Sequence, residues 1–416
     1  MSERGGLYAV WQDAWLMSGA RTPFVDYRGA LSAASPTDLG IKAARGLFGR
    51  GRLAPEEVDA VIVGNMAQAS YDAYMMPRHV GLYAGVPVSA PALMVQRVCA
   101  TGLELLTQAA DTIALGRARA VLCVAAESMS RNPLTNYTHR QMAGEPPVYR
   151  DFLWEALHDS ACKLDMGGTA ERLAMRYGID RVMADAYASR SFARALAARE
   201  GGWFDEELVT LSDEDFECPG LEPRQLRLHE STIVDRDTHL RASSPATLAG
   251  LKPAFGGIQT AGNSAGICDG AAATLVVSGA MAKKRGRPLA RLLASTTVGV
   301  DPAEMGIGPV PAIRRLLESH DLDLADIDCI EINEAFAAQV LACAQALDID
   351  AARLNVHGGA IALGHPLAAT GLRLAITCAR ELSCSGGRYG IVAACVGGGQ
   401  GMALLLENTG AWPVEL

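Results

Sequence analysis

Two side chains that could carry out covalent chemistry stand in short, distinctive segments. Cys99 lies in "QRVCATGLELL", directly before a predicted helix, and His365 lies in "GGAIALGHP". Unpaired N–H groups at the start of a helix favour an anion, so this position is expected to stabilise a Cys99 thiolate. An imidazole is a suitable base for such a thiol. The alternative interpretation of Cys99 is a buried structural cysteine.

A second cysteine stands beside a run of glycines. Cys395 lies in "ACVGGGQG", where a buried strand is predicted to end. Glycines let a backbone approach a ligand closely and point its N–H groups at it. Cys395 could therefore act as an acid or base, and the N–H groups could form an oxyanion hole. A glycine-rich turn that serves only tight packing is the alternative.

The segments around these residues occur twice. "ATGLELL" begins at Ala100 and returns as "ATGLRLA" at Ala369, while "VDAVIVGN" ends at Asn65 and returns as "IDCIEIN", which ends at Asn333. The two offsets, 369 − 100 and 333 − 65, agree within one residue. Such a repeat predicts two similar α/β halves packed with their "ATGL" helices in the middle. The cysteine and the histidine would then come from opposite halves.

Local patterns predict the elements that position these residues. Apolar residues at helical spacing predict a helix from Thr101 to Leu115, and its second copy to about Leu382. Continuous apolar runs such as "AVIVG", "AVLCVAA" and "GIVAACV" predict strands buried on both faces. The segment from about residue 130 to 260 is charged, rich in turn-forming residues and in part helical in its pattern, so it is predicted to be an insertion. "GICDGAAATLVVSGAMAKKRG" then returns to a strand and a helix that complete the first half.

Composition limits the class of protein. The chain has 416 residues, of which 50% are hydrophobic and 20% charged, so more than one domain and a large core are expected. The net charge is −9 and no basic cluster is interleaved with aromatic residues, so nucleic acid is not an expected partner. The apolar runs are too short for a membrane span, and the first residues do not resemble a signal peptide. A cytoplasmic protein is predicted.

The remaining cysteines and histidines predict no further site. The chain has ten cysteines without a C-x-x-C pair, and four of them sit in apolar runs typical of small core residues: Cys123, Cys329, Cys343 and Cys378. No set of ligand-type residues has metal-ligand spacing, so no metal site is predicted. A structural or surface role is expected for His79, His139, His158, His229, His239, His320 and His357.

One motif suggests another enzyme class and is set aside. "GNSAG" at residues 262–266 fits the G-x-S-x-G pattern of serine hydrolases. That motif needs a buried strand before the serine and a helix after it, whereas the strand-like "AATLVVS" follows here. "VGGGQG" does not fit the dinucleotide-binding pattern either.

Taken in order, the motifs resemble those of the thiolases, acyl-CoA acetyltransferases, over essentially the whole chain. They are "SGARTPF", "RVCATGL", "AAESMS", "MGGTAERLA", "TAGNSAGICDGAA", "MGIGPVPA", "NEAF", "GGAIALGHP" and "CVGGGQG". The resemblance implies an α/β fold with a duplicated, five-layered αβαβα core and an inserted helical and loop domain. The predicted bounds are 1–129, completed by 261–286, for the N-terminal half, 130–260 for the insertion and 287–416 for the C-terminal half.

The resemblance also implies roles. Cys99 would carry the acyl group as a thioester, His365 would be its base, and Cys395 would transfer the α-proton of acetyl-CoA. Asn333 would hold a water that shares one oxyanion hole with His365, and the N–H groups of Gly397 and Cys99 would form a second. Substrate-binding positions would be Met166, Ala261, Gly262, Ser264, Met305 and Phe336.

The implied reaction is CoA-dependent cleavage of a 3-ketoacyl-CoA to acetyl-CoA and a shortened acyl-CoA, or the reverse Claisen condensation. Acyl-CoA and CoA would be the partners, with no tightly bound cofactor, and the chain would form a homodimer or homotetramer. A ketoacyl synthase-like or hydroxymethylglutaryl-CoA synthase-like enzyme of the same fold is the alternative, but such enzymes lack the second cysteine. A non-catalytic subunit is a third possibility. Departures from the family pattern at Gln96, Asp165 and Ala265 argue against acetoacetyl-CoA specificity.

Overall fold

The computed structural model describes residues 5–140, 142 and 144–410. Residues 1–4 and 411–416, at the ends of the predicted halves, and positions 141 and 143 of the predicted insertion lie outside the described residues. The helices are Pro36–Gly49 (α1), Met76–Tyr83 (α2), Thr101–Ala114 (α3), Phe152–Ala156 (α4), Met166–Tyr177 (α5), Arg181–Glu200 (α6), Pro245–Ala249 (α7), Gly279–Arg285 (α8), Pro309–Glu318 (α9), Ala337–Leu347 (α10), Ala360–Leu363 (α11) and Leu367–Ser385 (α12).

The strands of the first half of the chain and of the insertion are Leu7–Val10 (β1), Trp15–Arg21 (β2), Val25–Asp26 (β3), Ala60–Gly64 (β4), Ala92–Val95 (β5), Ala120–Glu127 (β6), Leu134–Asn136 (β7), Tyr149–Asp151 (β8), His158–Asp159 (β9), Leu164–Asp165 (β10), Glu214–Phe216 (β11) and Arg224–Leu226 (β12). The later strands are Cys268–Val277 (β13), Ala290–Gly299 (β14), Ile327–Ile332 (β15), Tyr389–Val396 (β16) and Gln400–Glu407 (β17).

The main strands form two sheets of matching topology. The first has the order β5-β4-β6-β13-β2 and the second β15-β16-β17-β14-β1. Four strands correspond: β4-β6-β13-β2 and β15-β16-β17-β14 each begin with a parallel pair followed by two antiparallel pairs. β5 adds a further parallel pair to the first sheet, and β1 adds an antiparallel pair to the second. A short β14–β2 pairing joins the sheets. The repeated sequence therefore corresponds to a repeated strand order.

Alternation along the buried strands explains the layers. In β6, Val121 and Cys123 point into a central apolar cluster with α3 and α12, while Leu122 and Val124 point into a second cluster with α1 and α2. The strands of the second sheet divide in the same way between the central cluster and a third cluster that contains α9 and α10. Side chains of successive residues point to opposite faces of a strand. The predicted five-layered αβαβα core is confirmed.

The two "ATGL" helices cross at their glycines. A Cβ atom on Gly102 of α3 would lie 2.4 Å from the backbone nitrogen of Leu372, and one on Gly371 of α12 would lie 2.6 Å from that of Leu103. Each glycine thus permits the backbone of the other helix to approach. This contact is a physical reason why the segment occurs in both halves.

The region between the halves contains helices α4–α7 and three two-stranded sheets, β7–β8, β9–β10 and β11–β12. Buried ion pairs connect this region to the core. The Arg21 guanidinium on β2 donates to Glu207 at 2.7 Å and to Asp237 at 2.6 and 2.9 Å. The predicted domain bounds stay a prediction. Among the described residues, no helix combines the length and apolar character that crossing a bilayer requires.

Candidate active site

Cys99 is held in a strained turn at the start of α3. The preceding residue, Val98, has φ +42°, a left-handed conformation that β-branched residues rarely adopt. The Thr101 hydroxyl donates to the Val98 carbonyl at 2.6 Å and accepts from the Arg97 backbone N–H at 2.9 Å. Thr101 therefore fixes the turn that presents the cysteine.

His365 lies in the turn before α12, and its hydrogen bonds define the tautomer. Its Nδ1 lies 2.7 Å from the Thr370 hydroxyl oxygen, and that hydroxyl donates to the Pro366 carbonyl at 3.1 Å. Since the hydroxyl has one proton, it accepts from Nδ1–H. Nε2 then carries a lone pair, 3.3 Å from the Asn333 side-chain nitrogen. The imidazole is thereby prepared to act as a base.

The threonines of the two "ATGL" segments have corresponding roles. Thr101 closes the turn that carries Cys99, and Thr370 closes the turn that carries His365 and also orients its ring. The sequence analysis identified the repeat but assigned no role to either threonine. The signal was present, because a hydroxyl in the first turn of a helix commonly bonds to the preceding backbone.

Burial decides the protonation of the catalytic pair. It raises the pKa of the Cys99 thiol to about 11, although the N–H groups of Gly397 and Cys99 itself act in the opposite direction. Burial, with a smaller effect from the Arg373 charge, lowers the pKa of His365 to about 3. The free protein therefore holds a thiol beside a neutral imidazole. The stabilised thiolate expected from the helix start is not what this site provides, because desolvation outweighs the helix-end groups.

Cys395 lies close behind Cys99. It is fully buried on β16 and packs with Met305 and Phe336, among others. Burial, and next the repulsion that an ionised Cys99 would exert, raise its pKa well above the usual range. Cys395 thus keeps its proton unless a carbanion or enolate of comparable basicity is nearby, which is the property that a proton donor to carbon needs.

The site opens into a cavity of about 750 Å³. Of the predicted residues, those that line it are Cys99, His365, Met166, Ala261, Ser264, Met305 and Phe336. Four others do not line the cavity. Gly262 lies against Leu248 and Leu251, and Asn333 lies against the His365 ring. Gly397 lies against Met166 and Val98, and Cys395 lies in the apolar cluster behind the cavity. Trp154, Phe255 and Leu367 add apolar surface that the sequence analysis missed.

Two buried carboxyl groups support the site without lining the cavity. Glu334 accepts from the Tyr187 and Ser191 hydroxyls at 2.8 and 2.7 Å and from the Ile361 N–H at 3.1 Å, so it ties α6 to the turn before His365. Glu127 accepts from backbone N–H groups that include those of Met66 and Ala368, and burial raises its pKa to about 8. Glu127 lies in the motif "AAESMS" and Glu334 in "NEAF", but the sequence alone predicts no role for either.

Comparison with known proteins agrees with this geometry. The model of the N-terminal thiolase domain matches residues 14–280, and that of the C-terminal thiolase domain matches residues 286–408. The chain belongs to the thiolase family. The predicted family and its enzyme class, acyltransferase, are confirmed.

The relatives cover almost the whole chain. The mitochondrial 3-ketoacyl-CoA thiolase of Rattus norvegicus is 40% identical over 96% of this chain and 100% of its own length. The β-ketothiolase BktB of Cupriavidus necator is 38% identical over 94% of this chain and 98% of its own. The acetyl-CoA acetyltransferase of Allochromatium vinosum is 37% identical over 94% and 98%. This thiolase is thus similar to relatives with several substrate names.

Solved structures confirm the predicted thiolase-like fold. Human mitochondrial 3-ketoacyl-CoA thiolase in complex with CoA superimposes with a TM-score of 0.90, at 37% identity over 98% of this chain and 100% of that one. The acetyl-CoA acetyltransferase of Bacillus anthracis gives a TM-score of 0.87 at 37% identity, over 96% and 99% of the two chains.

Proposed function

We propose that this thiolase cleaves 3-ketoacyl-CoA with CoA to give acetyl-CoA and a shortened acyl-CoA, and catalyses the reverse condensation, through an acyl group on Cys99. The observation that carries the proposal is the meeting of Cys99 and His365 from opposite halves in one cavity, with His365 Nε2, the unprotonated ring nitrogen, as the proton acceptor. Human 3-ketoacyl-CoA thiolase, which superimposes over almost the whole chain, binds CoA.

The neutral pair sets the order of proton transfers. Cys99 attacks the 3-keto carbon as its proton passes to His365 Nε2, and the oxyanion is stabilised by nearby N–H donors. The bond between the α- and β-carbons breaks, and the enolate of acetyl-CoA takes a proton from Cys395. The Cys395 thiolate regains a proton from the His365 imidazolium. The thiol of CoA then gives its proton to His365 Nε2 as it attacks the thioester carbonyl, and the Cys99 sulfur leaves with that proton, so that the shortened acyl-CoA is released and both cysteines are thiols again.

The two oxyanion holes follow from backbone position. The Gly397 N–H points toward the Cys99 sulfur, as does that of Cys99 itself, so an oxygen on the attacked carbon would lie near both. Asn333 and His365 would serve the second oxygen through a water. Removal of one such donor typically costs roughly 10²–10³ in rate.

Replacement of the nucleophile tests the proposal. Cys99→Ala should abolish thiolysis and condensation, because the thioester has no site. The measurement is retention of radiolabelled acyl groups after incubation with acetyl-CoA and gel filtration. Label on wild type and none on Cys99→Ala is expected, and equal labelling would refute the role of Cys99. The exposed cysteine offers a matched control, Cys384→Ser, which should label normally.

The cavity also limits which 3-ketoacyl-CoA substrates the enzyme prefers. The cavity lining is mostly apolar and contains Trp154, Phe255 and Phe336, which supports an acyl chain longer than acetoacetyl. Comparison of thiolysis rates for short, medium and long 3-ketoacyl-CoAs tests this, and a maximum with acetoacetyl-CoA would contradict it. We also propose a cytoplasmic homodimer or homotetramer, and light scattering that showed a monomer would refute the assembly.

A further inference from the structure

A second group of reactive side chains lies beside the cavity. Asp26, His239 and Cys268 each offer one donor atom, and these atoms lie within 4.8 Å of one another. Across residues 5–140, 142 and 144–410, no other group of three such side chains meets this distance. The residues come from β3, the insertion and β13. The sequence predicts no metal site, and a structural or surface role is expected from it for His239.

Backbone pairing fixes two of the three donors. β3 pairs with β13 so that Asp26 stands directly opposite Cys268. The third donor is held by a hydrogen bond, since His239 Nδ1 lies 2.5 Å from Asp26 Oδ1. The Thr238 hydroxyl donates to the other carboxylate oxygen at 3.1 Å. The group is therefore organised by strand register and by a supporting hydroxyl.

Two glycines make room for the donors. A Cβ atom at Gly266 would lie 2.7 Å from His239 Cε1, and one at Gly364 would lie 2.2 Å from the Cys268 sulfur. Gly364 directly precedes His365, so the sulfur lies under the turn that carries the catalytic base. Any larger residue at either position would displace a donor.

The charges around the group favour a cation. Asp26, Asp269 and Asp237 all act electrostatically on the fully buried Cys268. Asp237 is engaged with Arg21, and Asp269 with Ser130, so Asp26 is the carboxylate left to bind a ligand. The Arg241 guanidinium is the positive group next to His239. It lies 3.4 Å from both ring nitrogens, on the solvent-exposed side of the three donors.

We propose that Asp26, His239 and Cys268 bind one divalent ion of the zinc class. One oxygen, one nitrogen and one sulfur ligand suit zinc, and a tetrahedral ion separates such ligands by about 3.3–3.6 Å. The Asp26 side chain is 45% exposed and can make this small adjustment, exchanging its hydrogen bond to His239 for the metal. Asp26 and His239 both line the cavity. The fourth position of the ion therefore faces the cavity, where water completes the coordination.

Cobalt is the probe, because a cobalt–thiolate bond absorbs in the near ultraviolet. The intact chain carrying Cys99→Ala, treated with chelator and dialysed, is titrated with Co²⁺, so that the nucleophile contributes no sulfur. One Co²⁺ per chain, with a charge-transfer band that Zn²⁺ abolishes, is expected. Cys268→Ser should remove the band, and Asp26→Asn should weaken Co²⁺ binding on the order of 10- to 100-fold or more.

The control is Cys384→Ser in the same background, which should leave both the band and the affinity unchanged because that cysteine is exposed and far along the chain. If Cys268→Ser does not fold, Asp26→Asn and His239→Gln carry the test, since neither replaces a fully buried side chain. Absence of the band, its persistence in folded Cys268→Ser, or unchanged affinity in both other variants would overturn the proposal.

Discussion

At the scale of single residues, the catalytic pair works from neutral forms. Burial raises the pKa of Cys99 and lowers that of His365, so neither group carries charge in the free protein near neutral pH. Proton transfer must then accompany attack on the substrate. Thr370 makes this possible, because it fixes the Nδ1–H tautomer and leaves Nε2 as the acceptor. The site thus depends on orientation more than on a preformed ion pair.

Cys395→Ser should separate the two cysteines. Cys99 would still form an acyl-enzyme from acetyl-CoA, because that step uses Cys99, His365 and the nearby N–H groups. Exchange of the α-protons should fall about 10²–10⁴-fold, since a serine hydroxyl is a poor acid or base near neutral pH. The measurement is deuterium exchange at the acetyl methyl group in D₂O, alongside acyl-enzyme formation.

Either of two results would contradict these roles. Exchange that survives while acylation is lost would mean that the cysteines have been assigned in reverse. Equal loss of both activities would mean that Cys395 supports the site only structurally. The core cysteine Cys123 provides a matched control, because it is fully buried on β6, away from the cavity lining, so Cys123→Ser should affect neither step selectively.

At the scale of elements, the paired glycines decide how closely the central helices approach. Gly102→Ala should destabilise the protein by about 1–3 kcal/mol, because its Cβ would meet the α12 backbone, which cannot move aside without disturbing the core. Thiolysis should fall as well, since Cys99 lies one turn away. Urea unfolding and steady-state rates measure the two effects.

Gly49→Ala is the matched control, because Gly49 is also a helical glycine, the last residue of α1, but a Cβ there would meet nothing within 4 Å. That substitution should be neutral or stabilise by roughly 0.5–1 kcal/mol. Equal effects of the two substitutions would show that helix propensity, not the crossing, explains the glycine.

These same elements show how far the sequence predicts the structure. The repeated strands and central helices were predictable because their signals are local: the predicted helix from Thr101 to Leu115 is Thr101–Ala114 here, and the second copy runs to Ser385 instead of about Leu382. Contacts between distant segments have no such local pattern. The approach of Asn333 to His365 and the Asp26–His239–Cys268 group depend on how the chain folds back.

At the scale of the whole molecule, one buried arginine links the insertion to the core. Arg21, Glu207 and the Asp237 side chain are almost completely buried, and both carboxylates belong to the predicted insertion. Arg21→Met should cost about 3–5 kcal/mol, because it leaves the buried Asp237 carboxylate without its ion-pair partner and leaves Glu207 with only Arg380, at 3.4 Å. Urea unfolding measures this loss.

An exposed pair provides the comparison. Arg119 is 73% exposed and pairs with Asp59, so Arg119→Met should cost about 0–1 kcal/mol. Similar losses for the two arginine variants would show that the buried network does not hold the insertion to the core.

The pH dependence of stability tests the buried carboxyl that joins the two halves beside the site. Burial raises the pKa of Glu127 from 4.5 to about 8, so between these values the folded state keeps a proton that the unfolded chain releases. The free energy of unfolding must therefore fall as pH rises through this range.

Glu127→Gln cannot titrate, so its stability relative to wild type should rise by a few kcal/mol between pH 5 and pH 8. Glu331, whose pKa is also raised, titrates in both proteins and cancels in the difference. Asp269 acts electrostatically on Glu127, so that interaction is part of the difference. Urea unfolding at several pH values measures it, with Glu230→Gln, on an 85% exposed side chain, as the control that should show no such rise. Parallel pH profiles for wild type and Glu127→Gln would mean that Glu127 is ionised in the folded protein, and that a negative charge stands beside Cys99 during the reaction.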